Sequence, residues 1–282
     1  MRAVLILNAA AGSMAALNDP RALLEAAIEA AGFTIIARPD DAQTPDRQWD
    51  AAVAAAPDAV FVAGGDGTLR AIATLALGSD IALGLLPGGT MNRVCQRLGL
   101  PPDPVAAVAS YRPGQTAGLD IVRLNGEIFL YQSLIGAPAR LLRFRELQRG
   151  GGLLGWLPLL RVALRNLVRT PWNDVVAPMP GRRHRRGNAA VVTAPAPGAP
   201  SALTLQLVRS RGILGRLRQA FRWFTGRLAQ DPDVLTHESP RLVVHGRRRR
   251  IRVSLDGEMM LATPPLRFRL DPGALRILDP RP

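Results

Sequence analysis

The densest chemical signal in the chain is Phe61-Val62-Ala63-Gly64-Gly65-Asp66-Gly67-Thr68-Leu69, an apolar run that passes straight into a Gly-Gly-Asp-Gly-Thr turn and then a helical pattern. Glycines let a backbone come close to a phosphate, and the N–H groups at a helix start, with the helix dipole behind them, favour an anion. A carboxylate among such donors is unfavourable beside a phosphate unless a cation bridges the two, so Asp66 points to Mg2+ accompanying a nucleoside triphosphate. The plainer reading is a glycine-rich strand-to-helix turn with Asp66 as the helix N-cap. Two more small-residue turns follow strand-like runs, Asn8 to Ser13 (NAAAGS) and Pro87-Gly88-Gly89-Thr90-Met91-Asn92. Each alone is weak; together on one sheet edge they would form a wall of phosphate-sized donors. Near the C-terminus, Asp256-Gly257-Glu258 sets two carboxylates around a turn dipeptide. Phosphoryl transfer needs one carboxylate to accept the proton of the attacking hydroxyl, whereas the plain reading is a hairpin turn between Ile251–Leu255 and Met259–Leu261.

A parallel α/β scaffold is what would hold the first three turns. Strand patterns at Ala3–Leu7, Thr34–Arg38, Ala59–Ala63 and Ile81–Leu86 alternate with helix patterns near 20–31, 45–55 and 68–77. Asp19-Pro20 is an N-cap and first-turn pair, and Gly32 a stop. Such an open, mostly parallel sheet binds ligands beyond the carboxyl ends of its strands. After Tyr111-Arg112-Pro113-Gly114 the pattern changes: Ala117–Leu124, Asn125-Gly126 and Ile128–Leu134 read as a type I′ hairpin, and Leu242–His245, Ile251–Leu255 and Leu266–Leu270 as further antiparallel strands. The Pro-rich stretch from Thr170 to Ser201, which contains Arg182 to Arg186, reads as mostly loop with one or two edge strands such as Ala189–Thr193. The expected organisation is an α/β domain over 1–116 and a β-rich, sandwich-like domain with amphipathic helices over 117–282.

Composition removes several alternatives. The 282 residues are 48% apolar and 21% charged, as in a folded globular protein. All 36 basic residues are arginine, so a Walker A loop, a Schiff-base enzyme and a pyridoxal-phosphate enzyme are excluded. The single Cys95 forms no internal disulfide, and His184, His237 and His245 show no metal-ligand spacing. No GxSxG elbow is present. The apolar run at the N-terminus is five residues long before Asn8, a strand rather than a signal peptide, and no stretch reaches the ~18 apolar residues of a membrane span. A cytoplasmic protein is expected, with peripheral association to the inner face of the membrane.

In its motifs and their order the sequence resembles the diacylglycerol kinase catalytic-domain family, which includes bacterial lipid kinases, sphingosine kinases and ceramide kinases. The resemblance rests on Gly64-Gly65-Asp66-Gly67-Thr68, on Pro87 to Asn92 with Leu98-Gly99 after it, and on Asn8 with Gly12. It continues through Gly118-Leu119-Asp120, Gly136 and Asp256-Gly257-Glu258. It implies an ATP-dependent, Mg2+-assisted lipid kinase, with the γ-phosphoryl group passing to a lipid hydroxyl, diacylglycerol-like first, in a cleft between an α/β and a β-rich domain. By position, it implies that Asn8, Gly12, Ser13, Gly64, Gly65, Asp66, Gly67, Thr68, Gly88, Gly89, Thr90 and Asn92 hold nucleotide. Asp66 would also hold the metal, Asp256 would be the general base and Glu258 would line the same site; the residues themselves leave the reverse roles of Asp66 and Asp256 open. Asp120 reads as a supporting carboxylate or an ion-pair partner. Family members commonly carry an acid directly after the turn Asn and an Arg three residues on; this chain has Arg93 and Gln96, with Arg97 one residue late. The Asp-Asp-Gly segment that supports a structural Mg2+ in many bacterial members is replaced by Pro197 to Leu203, which has no carboxylate, so that second metal site is expected to be absent.

Charge divides the chain unevenly. Residues 1–120 hold 8 Arg against 12 acids, net −4, and residues 121–282 hold 28 against 10, net +18. Two stretches read as cationic amphipathic helices: Leu153 to Arg169, with Arg161, Arg165 and Arg169 opposite Trp156, Leu160, Ala163, Leu164 and Leu167, and Leu214 to Leu228, with Leu214, Leu217, Phe221, Phe224 and Leu228 among Arg216, Arg218, Arg222 and Arg227. Either stripe could pack on the sheet with its arginines solvated. With the Arg247–Arg250 turn and a lipid substrate, the expectation is instead contact with an anionic membrane surface. No specific nucleic acid is expected, since no RNP, zinc-finger or helix-turn-helix pattern occurs. The competing readings are a catalytically weak relative that binds anionic lipid or nucleic acid, and a soluble NAD kinase-like enzyme, against which stands the absence of a Gly-Ser-Thr-Ala-Tyr-like motif.

Overall fold

A computed structural model describes residues 1–12, 14–136, 175–179, 183–210 and 212–280. Ser13, Arg182 and the helix pattern at Leu153 to Arg169 lie outside the described residues. The chain divides into two compact units: Met1–Ile121 with Ala196–Ala199 and Asp271–Pro282, and Val122–Pro195 with Pro200–Leu270. A sequence-based boundary at 116 carried no sign that the C-terminal residues return to the first unit.

The first unit runs β1 (Arg2–Leu7), α1 (Pro20–Ala30), β2 (Thr34–Ala37), α2 (Pro45–Ala54), β3 (Ala59–Gly64), α3 (Asp66–Ala76), β4 (Ala82–Pro87), α4 (Arg93–Arg97), α5 (Pro104–Val108) and β5 (Thr116–Leu124), the last residues of which belong to the second unit. Strand order is β2-β1-β3-β4, all parallel, with Val4 opposite Val60 and Val60 opposite Leu83. β3 and β4 are buried along their whole length, which is why they read as unbroken apolar runs rather than alternating ones. Phe61 meets Phe33 edge to face at 5.0 Å and Tyr111 at 5.8 Å, and the Tyr111 hydroxyl donates to the Leu85 carbonyl at 2.8 Å. Asp19 accepts the Ala22 N–H at 3.1 Å ahead of Pro20, and α1 stops at Gly32, whose φ of +89° is open to glycine. α3 begins two residues earlier than the 68–77 pattern suggests, because Gly65 is the extended N-cap and Asp66 already lies in the first turn.

The second unit adds β6 (Glu127–Phe129), β7 (Gln132–Gly136), β8 (Val175–Met179), β9 (Arg183–Gly187), β10 (Ala189–Thr193), β11 (Leu203–Val208), α6 (Gly212–Phe224), β12 (Val234–Ser239), β13 (Arg241–Gly246), β14 (Ile251–Leu255), β15 (Glu258–Ala262) and β16 (Leu266–Leu278). Six of them form an antiparallel sheet in the order β12-β11-β10-β7-β14-β15. A second layer pairs β9 with β8, β8 with β13 and β13 with the start of β16. One apolar core takes alternate residues from both layers, among them Val192, Leu205 and Val253 from the first and Val244 and Phe268 from the second. The chain thus holds the expected α/β unit and the expected β-rich sandwich.

Four local expectations change. Asn125 and Gly126, at φ of +50° and +104°, do make the type I′ turn, but Ile128–Leu134 is broken at Leu130-Tyr131 into β6 and β7. β10 is no edge strand: its Ala189-Ala190-Val191-Val192 run is buried and lies between β11 and β7. β16 continues past Leu270 to Leu278, and Ile277 pairs with Leu83 in the first unit. The helix pattern to Leu228 stops at Phe224, because Gly226 (φ +72°) closes it with Gly226 N–H to Trp223 O at 3.2 Å and Arg227 N–H to Arg222 O at 2.7 Å. Leu228 then sits buried in a 3-10 turn. No described helix is long and apolar enough to cross a membrane.

Candidate active site

In the first unit the strand order reverses direction at β1, with β2 on one side and β3 on the other. Crevices outside the carboxyl ends of strands at such a reversal are where open α/β sheets bind ligands. The turns after β1, β3 and β4 lie at that edge. Asn8 donates from Nδ2 to Thr68 Oγ1 at 2.9 Å, so the first turn is fastened to the second. Asp66 Oδ1 accepts the Val94 N–H at 2.9 Å, so the second is fastened to the start of α4. Asn92, at φ +48°, folds its Oδ1 back onto the Gly89 N–H at 2.7 Å and closes the third.

The glycines are there because the turns touch. A Cβ on Gly88 would lie 2.7 Å from the Gly64 nitrogen, one on Gly89 2.6 Å from Gly65 Cα, and one on Gly12 2.9 Å from Thr90 Oγ1. Backbone thus meets backbone across two turns, and Gly88 N–H donates to Gly64 O at 2.9 Å. The structure brings together Asn8, Gly12, Gly64, Gly65, Asp66, Gly67, Thr68, Gly88, Gly89, Thr90 and Asn92, eleven of the twelve positions singled out for nucleotide, Ser13 being outside the described residues. At the start of α3 the N–H groups of Asp66, Gly67 and Thr68 precede the first intrahelical bond, that of Leu69 to Gly65 O, and make the donor set an anion needs.

Asp66 is not an N-cap of its own helix; it reaches across to cap another. Burial pushes its carboxyl above the ordinary aspartate range, while the N–H groups of Val94 and Arg93 and the Arg93 charge act the other way. A charge disfavoured by burial gains from a nearby cation. Among the described residues no group of three or more His, Cys, Asp or Glu could hold a metal ion. Arg93 is directed to Gln96 Oε1 at 3.3 Å, and Arg97 to the Asp120 carbonyl at 3.4 Å. The Asp120 carboxylate accepts the Gly273 N–H at 2.8 Å.

Sequence reasoning passed over Gln48. Buried on α2, it gives Nε2–H to Leu7 O at 3.1 Å and takes Leu7 N–H on Oε1 at 3.0 Å, pairing with the last residue of β1 as a neighbouring strand would. It holds the chain immediately before Asn8. Its only signal was a polar residue on the side of α2 that also carries Trp49 and Ala52 toward the core.

In the second unit Asp256 and Gly257, at φ of +49° and +98°, form the two-residue turn between β14 and β15. The Asp256 side chain does more than turn the chain. Oδ2 accepts the Leu130 N–H at 2.6 Å, and Oδ1 accepts those of Tyr131 and Gln132 at 2.8 and 2.9 Å. These are the residues where β6 breaks from β7, so the carboxylate supplies the acceptors that the interrupted ladder lacks. Glu258 opens β15 and is exposed.

The chain thus carries an α/β unit whose glycine turns meet at a strand-order reversal, together with an antiparallel sandwich. The sequence profile of the diacylglycerol kinase catalytic domain matches residues 2–124. A diacylglycerol kinase of Mycobacterium tuberculosis is 27% identical over 249 residues, 82% of this chain and 80% of its own. A YegS-like lipid kinase of Pseudomonas aeruginosa is 42% identical over 82 residues, 28% of this chain and 26% of its own. Among solved structures, two diacylglycerol kinase structures from Bacillus anthracis superpose with TM-scores of 0.70 and 0.66 at 20% and 19% identity, over 99% of this chain and 95% and 96% of theirs. The domain matched by residues 2–124 and the kinase-named relatives together support a lipid kinase.

Proposed function

We propose that this lipid kinase transfers the γ-phosphoryl group of ATP to the hydroxyl of a diacylglycerol-like lipid, as a peripheral protein at the inner face of the membrane. The observation that carries the nucleotide half is the fastening of three glycine turns by Asn8–Thr68, Asp66–Val94 and Asn92–Gly89. Backbone N–H groups at the start of α3 receive phosphate oxygens, and Gly64, Gly65, Gly88 and Gly89 let those oxygens approach the main chain. Mg2+ held by Asp66 and the phosphates would offset charge on the transferring group. Thr90, exposed at the third turn, and Asn92 complete the wall that orients the nucleotide.

Phosphoryl transfer through a loose transition state asks the protein chiefly for position and charge neutralisation, and only weak basicity from the residue that takes the hydroxyl proton. Asp256 is assigned that proton, with Glu258 beside it. Three backbone N–H groups hold the Asp256 carboxylate in one orientation, which suits a positioned acceptor. The same bonds suit a purely architectural carboxylate, so the two are separated by experiment.

The test is incubation with γ-labelled ATP, Mg2+ and mixed lipid vesicles containing diacylglycerol, sphingosine or ceramide, with products resolved by thin-layer chromatography. Labelled phosphatidic acid that vanishes in Asp66→Ala and Asp256→Asn supports the proposal. Label in the sphingoid product alone overturns the acceptor, and label in no lipid overturns the activity.

A further inference from the structure

Amphipathic helices on a protein surface normally turn their apolar stripe inward. α6 does the reverse. Leu214, Leu217 and Phe221, with Ile213 beside them, form one stripe, and they are 83%, 51%, 69% and 47% exposed in that order. Among the described side chains, the side that meets the protein is largely polar. Gln219 is buried with its Oε1 on the Ser210 hydroxyl and its Nε2 3.3 Å from Asp231 Oδ1, Arg216 is buried, and Arg218 binds Asp231 and Asp233 at 2.7 and 2.8 Å. Among the described side chains of this helix, Trp223 packs on the apolar cluster of Leu134, Val191 and Leu228 on the outer face of the six-stranded sheet. The helix is thus held by ion pairs and hydrogen bonds in an orientation that leaves Ile213, Leu214, Leu217 and Phe221 in water.

We infer that α6 is a membrane-docking element whose stripe Ile213, Leu214, Leu217 and Phe221 enters the interfacial region of an anionic bilayer. Residues 209–227 contain six arginines and no acid; set against Asp231 and Asp233, that leaves a net of four positive charges on the segment that carries the stripe. A positively charged segment with an exposed apolar stripe is complementary to anionic headgroups over acyl chains. Four side chains on one short helix cover far less than the ~800 Å2 per partner of a stable protein interface, which disfavours a second copy as occupant. The inference deepens the proposed function, resting on its membrane setting, but is read without nucleotide or phosphotransfer.

The experiment is co-sedimentation of the full chain, without ATP, with phosphatidylcholine vesicles containing phosphatidylglycerol and with phosphatidylcholine alone. The wild type is expected to sediment with the anionic vesicles, and Leu214→Ser/Phe221→Ser to bind about tenfold more weakly or worse, with an unchanged circular dichroism spectrum. A second variant, Phe221→Trp, adds fluorescence that brominated acyl chains quench on vesicle binding. Equal sedimentation of wild type and double variant, or no quenching of the added tryptophan, overturns the inference. So does a wild-type dimer in light scattering that the double variant converts to monomer, which would make the stripe a self-interface. A chain that phosphorylates lipid yet binds no anionic vesicle overturns the docking and leaves the kinase reading standing; vesicle binding without phosphotransfer does the opposite.

Discussion

Asp66 Oδ1 accepts the backbone N–H of Val94 at 2.9 Å, joining two turns that lie 28 residues apart in the chain. The bond makes one carboxylate both a part of the phosphate-sized edge and the cap of α4. Burial holds its carboxyl above the ordinary value, so the folded protein binds its proton more tightly than the unfolded chain. Stability contributed by this group is therefore present at low pH and lost as pH rises from the ordinary aspartate value through the raised one. Asp66→Asn keeps an oxygen for Val94 and removes the buried charge. Thermal unfolding at neutral pH is expected to show the variant as stable as the parent or more so, the difference shrinking toward pH 4, while lipid phosphorylation is lost.

Gly89→Ala places a methyl 2.6 Å from Gly65 Cα, where only backbone is available to move. A cost of about 1–3 kcal/mol and a loss of ATP affinity are expected from denaturant titration and nucleotide binding. Gly215→Ala in α6 is the contrast: nothing lies within 4 Å of the added carbon, and the helix gains about 0.5–1 kcal/mol.

Asp256→Ala strips the acceptors from Leu130, Tyr131 and Gln132, and urea unfolding should show a loss of about 3 kcal/mol or more. Asp256→Asn retains one oxygen for that turn and should cost less. If Asp256 also takes the hydroxyl proton, the Asn variant has almost no turnover at any pH with little change in KM for ATP. Turnover that tracks stability instead would assign the residue to architecture alone.

Asp231 anchors the protein-facing side of α6. Burial pushes its carboxyl up, but hydrogen bonds from Arg218, the Asp233 N–H and Gln219 outweigh this and leave it below the ordinary range. Its contribution is present above the unfolded value and lost as pH falls through the lower, folded one. Asp231→Asn is expected to cost about 1–3 kcal/mol at neutral pH, limited by the access of Arg218 and Arg222 to water, and the parent and variant curves should converge in strong acid.

Local chemistry made much of the scaffold legible. Unbroken apolar runs at Val60 and Leu83 announced doubly covered strands, Asp19-Pro20 and Gly32 bounded α1, and Asn125-Gly126 marked its turn. Where a distant group decided the outcome, the pattern misled. Leu130-Tyr131 continues a good strand sequence, yet Asp256, more than a hundred residues away, takes its N–H groups and the ladder stops there. Gln48 carried no recognisable motif because its role is a pair of bonds to the backbone of β1, and any residue type beyond reach of Leu7 would have read the same.

By itself, the sequence determined which segments could pair, turn and bury, and it carried the order of glycine motifs that marks the family. These depend on side-chain shape, φ freedom and spacing, all local properties. Only the tertiary structure decided what each polar group faces. Asp66 caps α4 rather than α3, and the stripe of Leu214, Leu217 and Phe221 points away from the sheet it could have covered. An amphipathic pattern specifies that a helix has two faces; which one meets the protein follows from partners elsewhere, here Ser210, Asp231 and Asp233, which hold the polar face.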